Sequence, residues 1–171
     1  MLHLYLIRHA KSSWENAENT LDIDRPLNKR GLRDAPRMAE WFGETFFKHI
    51  STENLLLCSS TALRAWDTCA YFADYLKIPS AEVLKTDALY EHSTDTSLML
   101  QFLQQLDSPK ARISLFGHNP IFTEFANLYA RPLLENIPTC GIAHVGYAVE
   151  SWKDISTENG QLLGFYYPKM L

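Results

Sequence analysis

What the chain has little of sets its first limits. Its 171 residues contain no basic run and carry a formal net charge of −4, so neither a nucleic-acid footprint nor a polybasic membrane patch is expected. No apolar stretch approaches the length of a membrane span. The opening Met-Leu-His-Leu-Tyr-Leu-Ile-Arg has no basic leader and no small-residue cleavage site. A cytoplasmic protein is the expectation. Three cysteines, Cys58, Cys69 and Cys140, form no CxxC pair, and an odd number cannot all pair within one chain. Buried thiols in a reducing compartment fit that pattern. Repeats, low-complexity tracts and linkers are missing as well. With 46% hydrophobic and 21% charged residues, the expectation is one globular domain over residues 1–171.

What is there begins with Leu4-Tyr5-Leu6-Ile7, an apolar strand former that stops abruptly at Arg8-His9. In open α/β sheets ligands bind outside the carboxyl ends of the strands, where these two residues would stand. The alternative is an exposed end of an edge strand. The polar Ala10-Lys11-Ser12-Ser13 that follows offers backbone N–H groups and hydroxyls to an anion. After a loop through Asp22–Gly31, apolar residues at three- and four-residue steps (Leu32, Ala35, Met38, Ala39, Phe42, Phe46) predict a helix over about 32–49, with Pro36 in its first turn.

Leu55–Cys58 reads as a second strand. Ser60 or Thr61 would cap a helix over about 62–76, with Leu63, Trp66 and Cys69 on its inner side. A third strand is expected at 82–85, then a helix capped by Thr94 or Asp95. Arg112–His118 repeats the opening pattern of apolar strand, turn residue and histidine, with a helix over about 120–130 behind it. Residues 141–149 and 162–167 read as a hairpin turning around Glu158-Asn159-Gly160. This order predicts a three-layer α/β/α sandwich, with a mostly parallel central sheet and a C-terminal β-hairpin.

Three strands then deliver Arg8-His9, Cys58-Ser59-Ser60 and Gly117-His118 to one edge of the sheet. Arg64, in the first turn of its helix, runs against the helix dipole unless an anion sits between it and the helix N-terminus. Two arginines, two histidines and a helix N-terminus describe a phosphate site, because guanidinium groups grip phosphate oxygens bidentately at any working pH. His9, beside cations, would stay neutral and nucleophilic. Glu91 is the first candidate for the leaving-group proton, ahead of His92 and of Asp22 or Asp24. Ser12 joins Arg8, Arg64 and His118 as a phosphate ligand.

Arg8-His9-Ala10-Lys11, Asp24–Gly31 (DRPLNKRG), Cys58-Ser59 with Leu63-Arg64-Ala65, and Gly117-His118-Asn119-Pro120 together resemble the histidine phosphatase superfamily (phosphoglycerate mutase-like fold). Within it the chain is most similar to the compact SixA-type phosphohistidine phosphatase branch, and the similarity runs from Leu4 to the end, through Pro138–Gly141, Ser151-Trp152 and Tyr167–Lys169. The resemblance implies that His9 is transiently phosphorylated while Arg8, Arg64 and His118 complete the pocket, and it gives Glu91 as the match to an acidic residue found in many members. Two departures stand out. Ala10 replaces the glycine of the common RHG, and Glu15 stands where the mutase-like branch has an asparagine after Trp, which argues against a mutase.

Rival chemistries are visible in the same residues. Cys58 and Arg64 have the spacing of a cysteine-dependent phosphatase loop, though Ser59–Leu63 lacks the glycine such a loop uses. A metal hydrolase could draw on His9, His92, His118 and Glu91, but HxH and HExxH spacings are absent. A phosphate-recognition module would bind without turnover. The expectation is a phosphatase that uses no metal and no cofactor, acting through phospho-His9. Its partner would be a phosphorylated protein carrying phosphohistidine or, as the alternative, a small phosphate ester. No long insertion is available for a lid, which favours a side chain presented on a protein.

Overall fold

The computed structural model describes residues 1–16, 18–91, 95–106 and 108–171, and for Glu91 the backbone only. Strand β1 (Leu2–Arg8) is followed by helix α1 (Lys29–Phe46), β2 (Leu55–Ser60), α2 (Leu63–Tyr75) and β3 (Leu84–Thr86). The short α3 (Ala88–Glu91), α4 (Thr96–Gln105), β4 (Arg112–Gly117), α5 (Ile121–Asn127), β5 (Ile142–Tyr147) and β6 (Gly160–Tyr166) complete the order. The six strands form one sheet, β3-β2-β4-β1-β5-β6. β1, β2, β3 and β4 pair in parallel, whereas β5 runs antiparallel to both β1 and β6.

β1 thus lies inside the sheet, between β4 and β5, and the edge-strand alternative for Arg8-His9 does not hold. Its side chains alternate between two cores. Leu4 and Leu6 pack with Leu103, Phe122 and Phe125 on one face, and Tyr5 and Ile7 with Met38, Phe42 and Phe72 on the other. Both faces are covered by helices, so the strand reads as a continuous apolar run rather than an alternating one. The predicted three layers are present.

Register aligns the strand ends that matter. Arg8 stands opposite Gly117, and Ser59 opposite Phe116. His9, Ser60 and His118 therefore emerge along one carboxyl edge. The loop after β1 is clamped against the start of α1: Asn28 N–H donates to the Lys11 carbonyl at 2.9 Å, and Ser13 N–H to the Pro26 carbonyl at 2.8 Å. Asn28 caps α1 by accepting from Gly31 N–H. A Cβ on Gly31 would run into the Lys11 carbonyl oxygen, so only glycine allows this close approach.

Several local expectations are corrected. α1 begins at Lys29, so Pro36 falls in the helix interior rather than its first turn. The lost bond belongs to the Leu32 carbonyl, and Leu32, expected inside, is half exposed at 50%. The buried stripe follows Gly31, Ala35, Met38 and Phe42, one step out of phase with Leu32. Leu63, also expected inside, is exposed. Neither Ser60 nor Thr61 caps α2; Ala62 holds the N-cap position with no side-chain bond. Asp95 does cap α4, while Thr94 lies outside the described residues. β5 and β6 pair as expected, but the connection is a long excursion with a 3-10 turn at Trp152–Asp154, and Gly160 already belongs to β6.

Candidate active site

Arg8 ends β1 and turns back on the segment that precedes β5. Its Nη1 donates to the Ile137 carbonyl at 2.8 Å and reaches Asn136 Oδ1 at 3.4 Å. Its Nε is buried with no partner among the described residues. Arg64, on the first turn of α2, is anchored the same way. Nη1 donates to the Asp22 carbonyl at 2.6 Å and Nη2 to Asp22 Oδ2 at 3.0 Å, while Nε again has none. Buried donors are ordinarily satisfied, so a pair of orphaned guanidinium N–H groups beside one another's site calls for an acceptor from outside the chain.

His9 follows Arg8 and is buried. Its Nδ1 lies 2.7 Å from the Ala10 carbonyl, which fixes Nδ1 as the donor and leaves the Nε2 lone pair free. Burial pushes its pKa down to about 3; the Ala10 bond opposes this, and His118, Arg64 and Arg8 reinforce it. The result is a neutral, nucleophilic imidazole. The His118 ring lies 5.1 Å away, centroid to centroid. Burial, with Arg64 next in weight, pushes His118 down to about 3 as well. Ser60 Oγ accepts from Ala62 N–H at 3.2 Å and lies 2.8 Å from His118 Nε2. Ser60 Oγ has no other acceptor for its own proton among the described residues, which assigns that proton to Nε2 and the His118 N–H to Nδ1, buried with no partner among the described residues.

The expected quartet Arg8, His9, Arg64 and His118 is thus brought together. Ser12 is near but engaged: it is buried, and its Oγ accepts from Arg25 Nη1 at 3.1 Å. The backbone amides expected to cradle an anion are partly consumed, since Ala10 N–H donates to Thr68 Oγ1 and Ser13 N–H to Pro26. Glu91 ends α3, and its side chain, like the whole of His92, lies outside what is described. Asp24 sits in the 3-10 turn Asp22–Asp24.

Asp22 has a different place from the weak acid that the sequence suggests. Besides Arg64, its carboxylate accepts from Arg25 Nε at 2.9 Å and from Tyr90 Oη at 3.0 Å. Partial burial would raise its pKa, but the bonds from Arg64, Tyr90 and Arg25 outweigh that and hold it below the ordinary value. An ionised carboxylate has no proton to give, so Asp22 is a clasp rather than an acid. Arg25 also stacks on Trp14, 3.8 Å from the ring centroid, and Tyr90 packs edge-on against His118 at 5.7 Å. Arg25 and Tyr90 are neighbours of the site that sequence reasoning missed, whereas Ser60, which the sequence delivers to this edge, meets His118 in a contact the sequence did not show. Only the DRPLNKRG stretch held a signal for one of them, Arg25.

The cysteine-dependent rival fares less well. Cys58 is buried among Leu103, Leu115 and their neighbours, and burial pushes its thiol up to about 12, which keeps it protonated and unreactive. Of the residues a metal hydrolase would draw on, His9 and His118 stand together, while His92 and the Glu91 side chain lie outside the described residues.

Comparison with known proteins agrees with this arrangement. Uncharacterized protein Rv1276c of Mycobacterium tuberculosis (strain ATCC 25618 / H37Rv) is 27% identical over 173 residues, spanning 95% of this chain and 100% of that one. The protein histidine phosphatase SixA, solved in complex with tungstate, superposes with a TM-score of 0.77 at 24% identity, covering 99% of both chains. The mycobacterial glucosyl-3-phosphoglycerate phosphatase Rv2419c superposes at 0.68 with 15% identity, over 96% of this chain and 98% of that one. Residues 4–119, which carry Arg8, His9, Arg64 and His118, match the family described as histidine phosphatase superfamily (branch 1), and the chain belongs to that superfamily.

Proposed function

We propose that this protein is a phosphatase that removes a phosphoryl group through a phospho-His9 intermediate, and that its substrate is phosphohistidine on a protein. The observation that carries the reading is the set of three buried, unpartnered donors, Arg8 Nε, Arg64 Nε and His118 Nδ1, around a neutral His9 whose Nε2 is free. In the first step the Nε2 lone pair forms the N–P bond as the substrate's P–N or P–O bond breaks. The leaving group departs with that bond's electron pair and takes up a proton. In the second step water attacks phosphorus, inorganic phosphate leaves, and the imidazole is regenerated. Arg8, Arg64 and His118 hold the equatorial oxygens as charge builds on them. Superfamily membership and the likeness to a SixA solved with tungstate, a tetrahedral oxyanion, support the same chemistry.

A phosphoramidate leaving group needs less protonation than an alkoxide, which suits a site whose ordered carboxylate, Asp22, is held ionised. Glu91 is the proposed proton donor where an ester is cleaved. The reading includes no metal or other cofactor, one domain over residues 1–171, and no nucleic-acid or membrane partner. Among the described residues no helix is long and apolar enough to cross a membrane. Three unpaired, buried cysteines support a reducing compartment such as the cytoplasm.

Rapid-quench labelling of wild type and His9→Ala tests this, with a phosphohistidine-bearing protein and an aryl phosphate as donors. An acid-labile label that depends on His9 and forms faster from the phosphoprotein is expected. Label from the aryl phosphate alone would make the protein a small-molecule phosphomonoesterase, and binding without label would make it a recognition module.

A further inference from the structure

A cavity of about 840 Å³ is lined by neither His9 nor His118. It lies between the N-terminal half of α1, residues 133–139 and the C-terminal aromatics. Three arginines of α1, Arg30, Arg33 and Arg37, line it, and Lys169 faces them from the chain's end. Among the described residues the side-chain carboxylates lining it are Asp34 and Glu135, and Arg37 is already bonded to the Pro168 carbonyl and to the main-chain oxygen of Leu171. Asp34 is already committed, 2.8 Å from Arg33 Nη2 and 3.8 Å from Arg30 Nε. A cationic groove on a chain of net charge −4 runs against the molecule's overall charge. Its apolar lining includes Leu133, 64% exposed, and Phe165, so the groove can take up apolar as well as charged side chains.

The groove is built onto the phosphate site through one segment. Asn136 lines the groove and also meets Arg8 Nη1 through its Oδ1. Thr139 lines it while accepting from Arg30, and the next residue, Cys140, donates its N–H to the Arg8 and His9 carbonyls. Residues 136–140 thus serve both as a wall of the groove and as the anchor of Arg8 and of the Arg8 and His9 carbonyls.

We propose that this groove is a docking site for an acidic segment flanking the phosphohistidine of the protein substrate, a proposal that rests on the function proposed above. Cations at the rim of such a groove act mainly by steering and register, so each contributes modestly and the effect weakens with salt. The chemistry at His9 is untouched by them.

The test uses two phosphohistidine peptides of one length, with flanks rich in Asp and Glu or in Gln, and an aryl phosphate as control. Wild type is expected to favour the acidic peptide by about tenfold in kcat/KM, the scale of a few rim ion pairs acting together. The double variant Arg33→Gln/Lys169→Glu should lose that preference and keep its aryl phosphate turnover. Added salt should erase the preference in wild type, a reading independent of any variant. Equal kcat/KM for the two peptides in wild type, or a preference that survives both salt and the double variant, overturns the groove proposal alone. Hydrolysis of the aryl phosphate with neither peptide touched overturns the phosphohistidine reading and this proposal with it.

Discussion

Asp22 meets Arg64 twice, once through its main-chain carbonyl at 2.6 Å and once through its carboxylate at 3.0 Å. Both terminal guanidinium nitrogens are thereby turned toward the 3-10 loop, and Nε is left for an anion. Arg8 is anchored by the same device, with Nη1 on the Ile137 carbonyl. Asp22→Ala keeps the carbonyl bond and removes the carboxylate, freeing Arg64, Arg25 and Tyr90 together. The expected loss in kcat/KM is about ten- to a hundredfold, below the hundredfold or more of Arg64→Ala, the scale of one transition-state donor. Because Asp22 acts through Arg64, the double variant should be little worse than Arg64→Ala alone. Losses that add in full would sever the link.

The site was legible in the sequence where chemistry interrupts an apolar run. Leu4–Ile7 ending in Arg8-His9, and Ile113–Phe116 ending in Gly117-His118, placed two histidines at strand ends, and the β and α alternation placed both ends on one edge. What the sequence hid depends on tertiary packing. Ser60 reads as a helix cap, yet the register of β2 against β4 hands its hydroxyl to His118. Asp22 reads as an acid, and two of its three partners, Arg64 and Tyr90, come from elements far along the chain, while Arg25 follows it by three residues. Leu32 and Leu63 fit a helical spacing but fall outside the buried stripe, since the phase of an apolar pattern is uncertain near a helix start. The groove beside Arg8 has no sequence signature, because its walls are drawn from α1, residues 133–139 and the C-terminal strand.

Ser60→Ala tests the assignment of the His118 proton. With the hydroxyl gone, Nε2 loses its donor at 2.8 Å and the ring is free to carry its proton on either nitrogen. Turnover should fall about tenfold, with KM for an aryl phosphate rising less than kcat falls, because the Nδ1 donor counts most as charge develops. The Ala62 N–H also loses its acceptor, at a stability cost of about 1 kcal/mol, readable by urea denaturation. A kcat equal to wild type would place the His118 proton without help from Ser60.

The buried imidazoles set how the fold responds to acid. His9 and His118 are pushed down to about 3, and His144 to about 4. In His144 the cause is burial first, then its neighbours His3 and Arg112. All three lie below the 6.5 of an unfolded chain. In the interval between, the unfolded state binds protons that the native state refuses, so stability is full above pH 6.5 and falls as the pH drops toward 4. Each such histidine contributes a slope of about 1.4 kcal/mol per pH unit. Asp22, held below its ordinary 3.8, adds to the loss only under that pH. His144 is the one to change, because it lies away from the phosphate site, 3.0 Å from His3 Nδ1 and stacked on Tyr5 with centroids 4.5 Å apart. His144→Gln should lower stability at pH 7 yet flatten its decline between pH 6 and pH 4.5 by about one proton's worth. Urea denaturation at a series of pH values measures the slope directly, and a slope equal to wild type would mean that His144 takes up its proton in the folded protein.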